Sequence, residues 1–161
     1  PPNLQAFFDC DRDGVDLVVV CAGRERARLF NEFRIPCTTH QMHAALFGER
    51  PACEAIIAER HGRAVGFALF FTTFSTFLAR PGIYLEDVFV EPEHRGAGIG
   101  KAILRRLAAL AVERGCGRFE WRVLDWNEPS IRFYESLGGK VLPEWELVRM
   151  TAPEFTALAR G

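Results

Sequence analysis

Two kinds of hydrophobic pattern divide this chain into predicted strands and helices. Apolar residues at alternate positions, or in short β-branched runs, predict strands, whereas apolar steps of three and four predict helices. The predicted strands are residues 16–21, 54–60, 64–72, 83–90, 118–124 and 145–150. The predicted helices are residues 24–33, 39–47 and 98–114, one from Asn127 to the pair Gly138-Gly139, and one that begins after Thr151. Strands dominate the first half and strand–helix alternation the second, which indicates a mixed α and β (α+β) class.

The helix over residues 98–114 shows the clearest period. Ile99, Ile103 and Leu107 follow one another at four-residue steps, so one face is apolar and the helix is amphipathic. The turn between residues 54–60 and 64–72 reads His61-Gly62-Arg63 and predicts a β-hairpin, in which the glycine supplies the turn. Since no repeat, low-complexity tract or linker interrupts these elements, residues 1–161 are expected to form one domain.

Composition limits the class of protein and its partners. The 161 residues are 48% hydrophobic and carry 20 basic against 21 acidic side chains, so a folded globular domain is expected. The net charge of −1 gives no reason to expect a nucleic-acid partner. The longest apolar run, residues 65–71, is far shorter than the roughly 20 residues that cross a bilayer, and no signal pattern opens the chain. We therefore expect a cytoplasmic protein without a membrane partner.

Cysteine and histidine spacing gives neither a metal motif nor a nucleophile motif. The five cysteines are widely spaced without a Cys-x-x-Cys pair, so we interpret them as small apolar side chains in a reducing compartment. His40 and His43 share one face of the predicted helix over 39–47, where we favour a solvated surface over a metal site. Four nearby phenylalanines are expected to make core or dimer contacts rather than a ligand wall: Phe70, Phe71, Phe74 and Phe77.

A glycine-rich loop connects the strand over 83–90 to the amphipathic helix. It reads Arg95-Gly96-Ala97-Gly98-Ile99-Gly100-Lys101. Small residues let the backbone turn tightly and expose its N–H groups next to the positive end of the helix dipole, which favours phosphate binding. A nucleoside-triphosphate loop is excluded because Ala102 follows Lys101 where Ser or Thr is needed, and a dinucleotide loop because Lys101 replaces its third glycine. The pattern Arg-x-x-Gly-x-Gly instead fits a coenzyme A pyrophosphate loop.

Three motifs in order resemble one enzyme family. They are Tyr84-Leu85-Glu86-Asp87-Val88-Phe89-Val90, the glycine-rich loop, and Asp125-Trp126-Asn127-Glu128-Pro129-Ser130-Ile131-Arg132-Phe133-Tyr134. Together they resemble the GNAT superfamily of N-acetyltransferases and, within it, the diamine (spermidine/spermine) branch. The resemblance covers residues 46–161, whereas residues 1–45 are atypical.

The resemblance implies a fold and a binding mode for acetyl-CoA as cosubstrate. The fold is a central, mostly antiparallel, twisted sheet with helices on both faces and a splayed parallel strand pair that holds the cofactor. The backbone of Val88, Phe89 and Val90 would pair with the pantetheine arm, and Asn127 and Ser130 would hold its thiol end. The loop would hold the pyrophosphate through Arg95, Gly96, Ala97, Gly98, Ile99, Gly100 and Lys101.

The resemblance also implies catalytic roles. Tyr134 would donate a proton to the leaving thiolate, and Glu86 would take up the amine proton and attract a cationic substrate, with Asp87 and Glu32 as further substrate-binding residues. A carboxylate and a proton donor suit this chemistry, because an alkylammonium with a pKa near 10 must lose a proton before it attacks a thioester. No metal is required. Two alternatives stay open: Tyr134 as a packing aromatic, and Asp87 instead of Glu86 as the functional carboxylate.

The part of the chain that is expected to bind the amine acceptor departs from the family pattern. Phe33-Arg34 stands where an acidic Tyr-Glu pair is expected, and an arginine there would repel a polyamine. The leading prediction is acetyl transfer to a primary amine of a small diamine, polyamine or lysine-like molecule. A peptide or protein amine is the alternative acceptor, and a non-catalytic acyl-CoA-binding module is the alternative of another class. The resemblance further implies a homodimer.

Overall fold

The computed structural model describes residues 7–11, 15–20 and 38–161. These residues belong to two compact units, Pro1–Arg122 and Val123–Gly161, and the single domain stays a prediction. The predicted helix over 24–33 lies outside the described residues, as do Glu32, Phe33 and Arg34. Within the described part, no helix is both long and apolar enough to cross a membrane.

The first unit is built on a six-stranded sheet in which sequence neighbours are also spatial neighbours. Its strands are β1 (Phe7–Asp11), β2 (Val15–Val20), β3 (Glu54–Arg60), β4 (Arg63–Ser75), β5 (Arg80–Val90) and β6 (Arg118–Trp121). Among these described strands, the first five pair antiparallel, and β5 and β6 pair in parallel. The predicted α+β class with a mostly antiparallel sheet and one parallel pair is confirmed.

Four α-helices complete the described chain. The first unit contains α1 (Thr39–Phe47) and α2 (Ile99–Glu113), and the second contains α3 (Glu128–Ser136) and α4 (Ala152–Ala159). The caps follow the predicted sequence signals: the Asn127 side chain accepts from the Ser130 amide, and Thr151 forms a capping box with Glu154. Such caps satisfy backbone N–H groups that a helix leaves unpaired in its first turn.

Helices α1 and α2 cover opposite faces of the sheet. Met42 and Leu46 of α1 pack with Ala55 and Ile57 of β3 and with Leu69 of β4. The neighbouring positions along these strands point the other way, because successive strand residues alternate in direction. Arg114, just after α2, confirms this arrangement: its guanidinium is 2.6 Å from a Glu54 carboxylate oxygen and 5.8 Å from the Phe70 ring centroid. The expected helices on both faces are therefore present in this unit.

The predicted strand over residues 145–150 is wrong. This segment has no regular secondary structure, and Trp145 and Val148 are 72% and 87% exposed. Its alternating apolar residues suit a strand, but a strand exists only where a neighbouring strand pairs its backbone groups. Among the described strands the sheet ends at β6, which itself stops at Trp121 rather than at the predicted residue 124.

Candidate functional site

A β-bulge places an extra residue in β5 at the predicted catalytic carboxylate. Phe70 of β4 pairs with Leu85, and Leu69 pairs with Asp87, so Glu86 stands between two pairs without a partner on β4. Bulges of this kind bend a strand and redirect side chains, and they are common beside active sites. Glu86 and Asp87 are both exposed. The structure thus brings the two alternative carboxylates to one bend in the strand.

The bulge also determines that Asp87 lies on the same face of the sheet as Tyr84. Tyr84 pairs with Phe71 and Asp87 pairs with Leu69, and these two β4 residues are two positions apart and point to one face. Leu69 belongs to the cluster that packs on α1, so Tyr84 and Asp87 lie on the α1 side of the sheet. Without the extra residue, positions 84 and 87 would face opposite sides.

The parallel strand pair separates immediately before the bulge. Pairing of β5 with β6 runs from Gly82 with Arg118 to Leu85 with Trp121, where β6 ends. Strand β5 continues to Val90 and stays paired with β4 on its other side. Within the described strands, the edge from Glu86 to Val90 has no protein strand beside it. A strand edge of this kind pairs with an extended ligand through backbone hydrogen bonds, and the two amides of a pantetheine arm fit it.

The predicted phosphate loop is joined to the end of this open edge. The Arg95 Nε–H donates to the carbonyl oxygen of Val90 at 2.9 Å, and the guanidinium carbon lies 5.8 Å from the Phe89 ring centroid. Glu91 connects the same corner to the β3–β4 turn, because its carboxylate is 3.3 Å from Arg63 and 3.7 Å from the His94 imidazole. These contacts fix the position at which the loop begins.

The loop's own geometry suits an anion. Gly96 and Gly98 have φ angles of 80° and 81°, in the left-handed region that glycine adopts without a steric penalty, and Gly98 is the N-cap of α2. The first intrahelical bond is from the Ala102 amide to the Gly98 carbonyl, so by helix geometry the three preceding amides have no acceptor in the helix. An open depression of about 180 Å³ lies here, lined in part by Lys101 and Arg105. Amides without a helical acceptor, the helix dipole and cationic side chains together favour a diphosphate.

The remaining predicted residues lie in the second unit, on α3. Asn127, Ser130 and Tyr134 are three and four positions apart, so they share one face of the helix. Asn127 is used as the N-cap, with its Oδ1 3.4 Å from the Ser130 amide nitrogen. Tyr134 is half-buried, and this burial raises the pKa of its phenol above the ordinary value. The phenol therefore remains a proton donor throughout the neutral range.

Other side chains that could take part in chemistry include a cysteine, two histidines and one cluster of acidic residues with a histidine. Burial raises the pKa of the Cys53 thiol, so it stays protonated and unreactive, as expected of a packing cysteine. His43 is half-buried against the Phe47 ring, at 5.2 Å between centroids, and His40 is exposed. A cluster that sequence reasoning missed consists of Glu91, Glu93 and His94, whose potential ligand atoms lie within 4.8 Å of one another. The short spacing Glu91-Pro92-Glu93-His94 was its only signal in the sequence.

Sequence reasoning also missed Arg122, the residue after β6. Its guanidinium carbon lies 5.9 Å from the Tyr84 ring centroid, and the Tyr84 ring stacks on Phe71 at 5.1 Å between centroids. Of the four phenylalanines expected in core or dimer contacts, Phe70 is fully buried, Phe71 joins this stack, and Phe74 and Phe77 are exposed. This contact could not be predicted from the sequence, because only the register between the strands places Arg122 over Tyr84.

The fold and the open edge of β5 beside a glycine-rich loop define a class of acyltransferase, and comparison with known families agrees. The model of the acetyltransferase (GNAT) family matches residues 24–139. The chain therefore belongs to the GNAT acetyltransferase family, whose members generally use acetyl-CoA. The predicted family and the predicted enzyme class, an N-acetyltransferase, are confirmed at this level.

Individual relatives place the chain within the family. It is 39% identical over 122 residues to L-ornithine N5-acetyltransferase NATA1 of Arabidopsis thaliana, which covers 74% of this chain but only 53% of that protein. It is 36% identical over 137 residues to thialysine N-epsilon-acetyltransferase of Sus scrofa, covering 78% and 80% of the two chains. A spermidine/spermine N(1)-acetyltransferase-like protein of Homo sapiens is 32% identical over 123 residues, or 70% of this chain and 18% of that one. The predicted diamine acetyltransferase branch is confirmed.

A solved structure supports the fold independently. An integron cassette protein from the mobile metagenome of V. cholerae superposes with a TM-score of 0.77 and 25% identity, covering 92% of this chain and 99% of that one.

Proposed function

We propose that this protein transfers the acetyl group of acetyl-CoA to a primary amine of a small diamine, a polyamine or a lysine-like molecule. The amine attacks directly in a ternary complex. One observation supports this most strongly: β5 has an open backbone edge that leads directly into a loop suited to a diphosphate. A carrier with a diphosphate at one end and an amide-containing arm at the other fits this pair of features.

Each part of this arrangement has a role in binding. Acetyl-CoA supplies the thioester carbonyl carbon that the amine attacks. The backbone of Val88, Phe89 and Val90 pairs with the pantetheine arm, and the turn from Arg95 to Lys101 holds the diphosphate with its amides. Asn127 and Ser130 contact the thiol end of the carrier. Binding both reactants in one orientation lowers the entropic cost of their encounter, so no protein nucleophile is needed.

Two side chains manage the protons. The substrate ammonium has a pKa near 10 and must lose a proton before its nitrogen attacks. Glu86, with Asp87 beside it at the bulge, attracts the ammonium and accepts or relays that proton. Tyr134 then donates its phenolic proton to the departing thiolate, a role supported by the raised pKa that keeps it protonated.

The relatives named for ornithine, thialysine and spermidine/spermine support a small amine as the acceptor. A peptide or protein amine is the alternative acceptor, and a non-catalytic acyl-CoA-binding module is the alternative of another class. The presence of Glu86 and Tyr134 favours an enzyme, since binding alone needs neither. We also propose a cytoplasmic homodimer that requires no metal. The exposed apolar side chains of the second unit support the homodimer. The free thiols of Cys53 and Cys116 support a reducing compartment.

A thiol-release assay with acetyl-CoA and a panel of diamines, polyamines, amino acids and peptides tests this function. We expect turnover with small primary amines and none with peptides. Coenzyme A binding without thiol release above background for every amine would refute the enzymatic function and favour the binding module. A monomer in light scattering would refute the homodimer.

A further inference from the structure

A cationic and aromatic surface lies beside the bulge, on the α1 side of the sheet. It consists of the Arg122 guanidinium over the Tyr84 ring, 5.9 Å from its centroid, and of Phe71 stacked on Tyr84. Tyr84 shares its face of the sheet with Asp87, as the β4 pairing shows. One face thus carries the Arg122 guanidinium and the Asp87 carboxylate.

Of the charged groups on this surface, Arg122 is the one that we expect to bind a negatively charged ligand. Arg122 is exposed, and its guanidinium lies over the Tyr84 ring without an ion pair to any described carboxylate. The nearest acidic neighbour on its strand, Glu120, is already paired with Arg118 at 2.8 Å. An arginine is charged at every physiological pH and binds a carboxylate with two parallel hydrogen bonds. A substrate that carries only positive charges is repelled here, whereas a substrate with a carboxylate is attracted.

An amino acid with a terminal amine carries one charged group for each kind of charge on this face. Arg122 follows Trp121, the partner of Leu85, so its backbone lies beside the bulge, while its guanidinium lies over the Tyr84 ring. In an extended ornithine or lysine, the carboxylate carbon and the terminal nitrogen are about 6–8 Å apart, from bond lengths near 1.5 Å. Such a molecule offers its carboxylate to Arg122 and its ammonium to Glu86 and Asp87.

We propose that Arg122, held on the Tyr84–Phe71 stack, binds the α-carboxylate of the acceptor and selects basic amino acids over the corresponding diamines. This inference rests on the proposed acetyl transfer and narrows its substrate class. Arg122 acts in specificity alone: it holds the end of the substrate that is remote from the reacting amine.

Matched substrates that differ only in the carboxylate test the proposal. The assay measures kcat/KM for L-lysine against cadaverine and for L-ornithine against putrescine, in the native protein and in Arg122→Leu and Arg122→Lys. We expect the native protein to prefer the amino acids. Arg122→Leu lowers kcat/KM for the amino acids about 10- to 100-fold, the effect of losing a charge-assisted contact, and leaves or improves that for the diamines. Arg122→Lys retains part of the preference.

Controls separate this effect from misfolding. Arg80→Leu removes an exposed arginine from the far end of β5 and is expected to change none of these ratios. The KM for acetyl-CoA and the melting temperature are expected to stay constant in Arg122→Leu. L-lysine methyl ester, which lacks the negative charge, provides a test without mutation and should react with the native protein as poorly as cadaverine.

The possible failures are distinguishable. If amino acids and diamines are both acetylated without preference, or if Arg122→Leu lowers kcat/KM for both to the same extent, the carboxylate role is wrong and the proposed acetyl transfer stands. If no amine is acetylated, both are wrong.

Discussion

Replacing Gly98 by alanine tests whether the left-handed backbone of this N-cap residue positions the first amides of α2 to bind a diphosphate. Gly98 has a φ of 81°, and a Cβ placed there meets no atom within 4 Å, so the substitution causes backbone strain without a clash. An L-residue in this conformation costs about 1–2 kcal/mol. We expect Gly98→Ala to lower the free energy of unfolding by that amount, as measured by urea denaturation.

The loss of function should exceed the loss of stability. Relief of the strain is expected to rotate the amides that follow Gly98, which are the amides assigned to the diphosphate. A hydrogen bond to a charged group contributes about 1.5–3 kcal/mol, so the KM for acetyl-CoA should rise about 10- to 100-fold.

Gly62 provides a matched control. It lies in the β3–β4 turn with a φ of 75°, and a Cβ there also meets no atom within 4 Å. Gly62→Ala should therefore lose similar stability and leave the KM for acetyl-CoA unchanged. Equal effects of the two substitutions on KM, or an unchanged KM in Gly98→Ala, would refute the assignment of this turn to the diphosphate.

Four further predictions concern catalysis and stability. Tyr134→Phe should lower kcat far more than affinity for coenzyme A, and equal losses in kinetics and calorimetry would contradict its acid role. Because burial raises the Tyr134 pKa, kcat should show no basic decline from this group below about pH 10. Glu86→Gln should lower kcat about 10²- to 10⁴-fold and more than Asp87→Asn does, and the reverse order would assign the proton to Asp87. Phe70→Ala, at a fully buried position, should lower the free energy of unfolding by about 3–5 kcal/mol, and a loss below 1 kcal/mol would contradict its core role.

Elements with local signals could be predicted from the sequence. Helix α1 and strand β3 have the predicted bounds, because the period of their apolar residues and the caps or turns beside them are encoded within a few residues. Residues 145–150 show the limit of this reasoning. Their alternation is compatible with a strand, but pairing depends on a partner elsewhere in the chain, which a local pattern does not reveal.

The candidate site likewise contains some features that could be predicted from the sequence and others that could not. The phosphate loop was identifiable because its glycines must stand at fixed positions next to a helix start, and Gly98 indeed has the left-handed backbone that this requires. The bulge at Glu86 and the stack of Arg122 on Tyr84 were not identifiable. Both depend on the register between strands that are distant in sequence, where one extra residue moves a side chain to the other face.

Titration of the isotope-labelled protein with coenzyme A, followed by the NMR signals of its backbone amides, tests the central claim most directly. We expect the largest shifts on the amides from Gly96 to Lys101, with a second group from Val88 to Val90 on the open edge of β5. Saturable binding that leaves both groups of amides unshifted would contradict that claim.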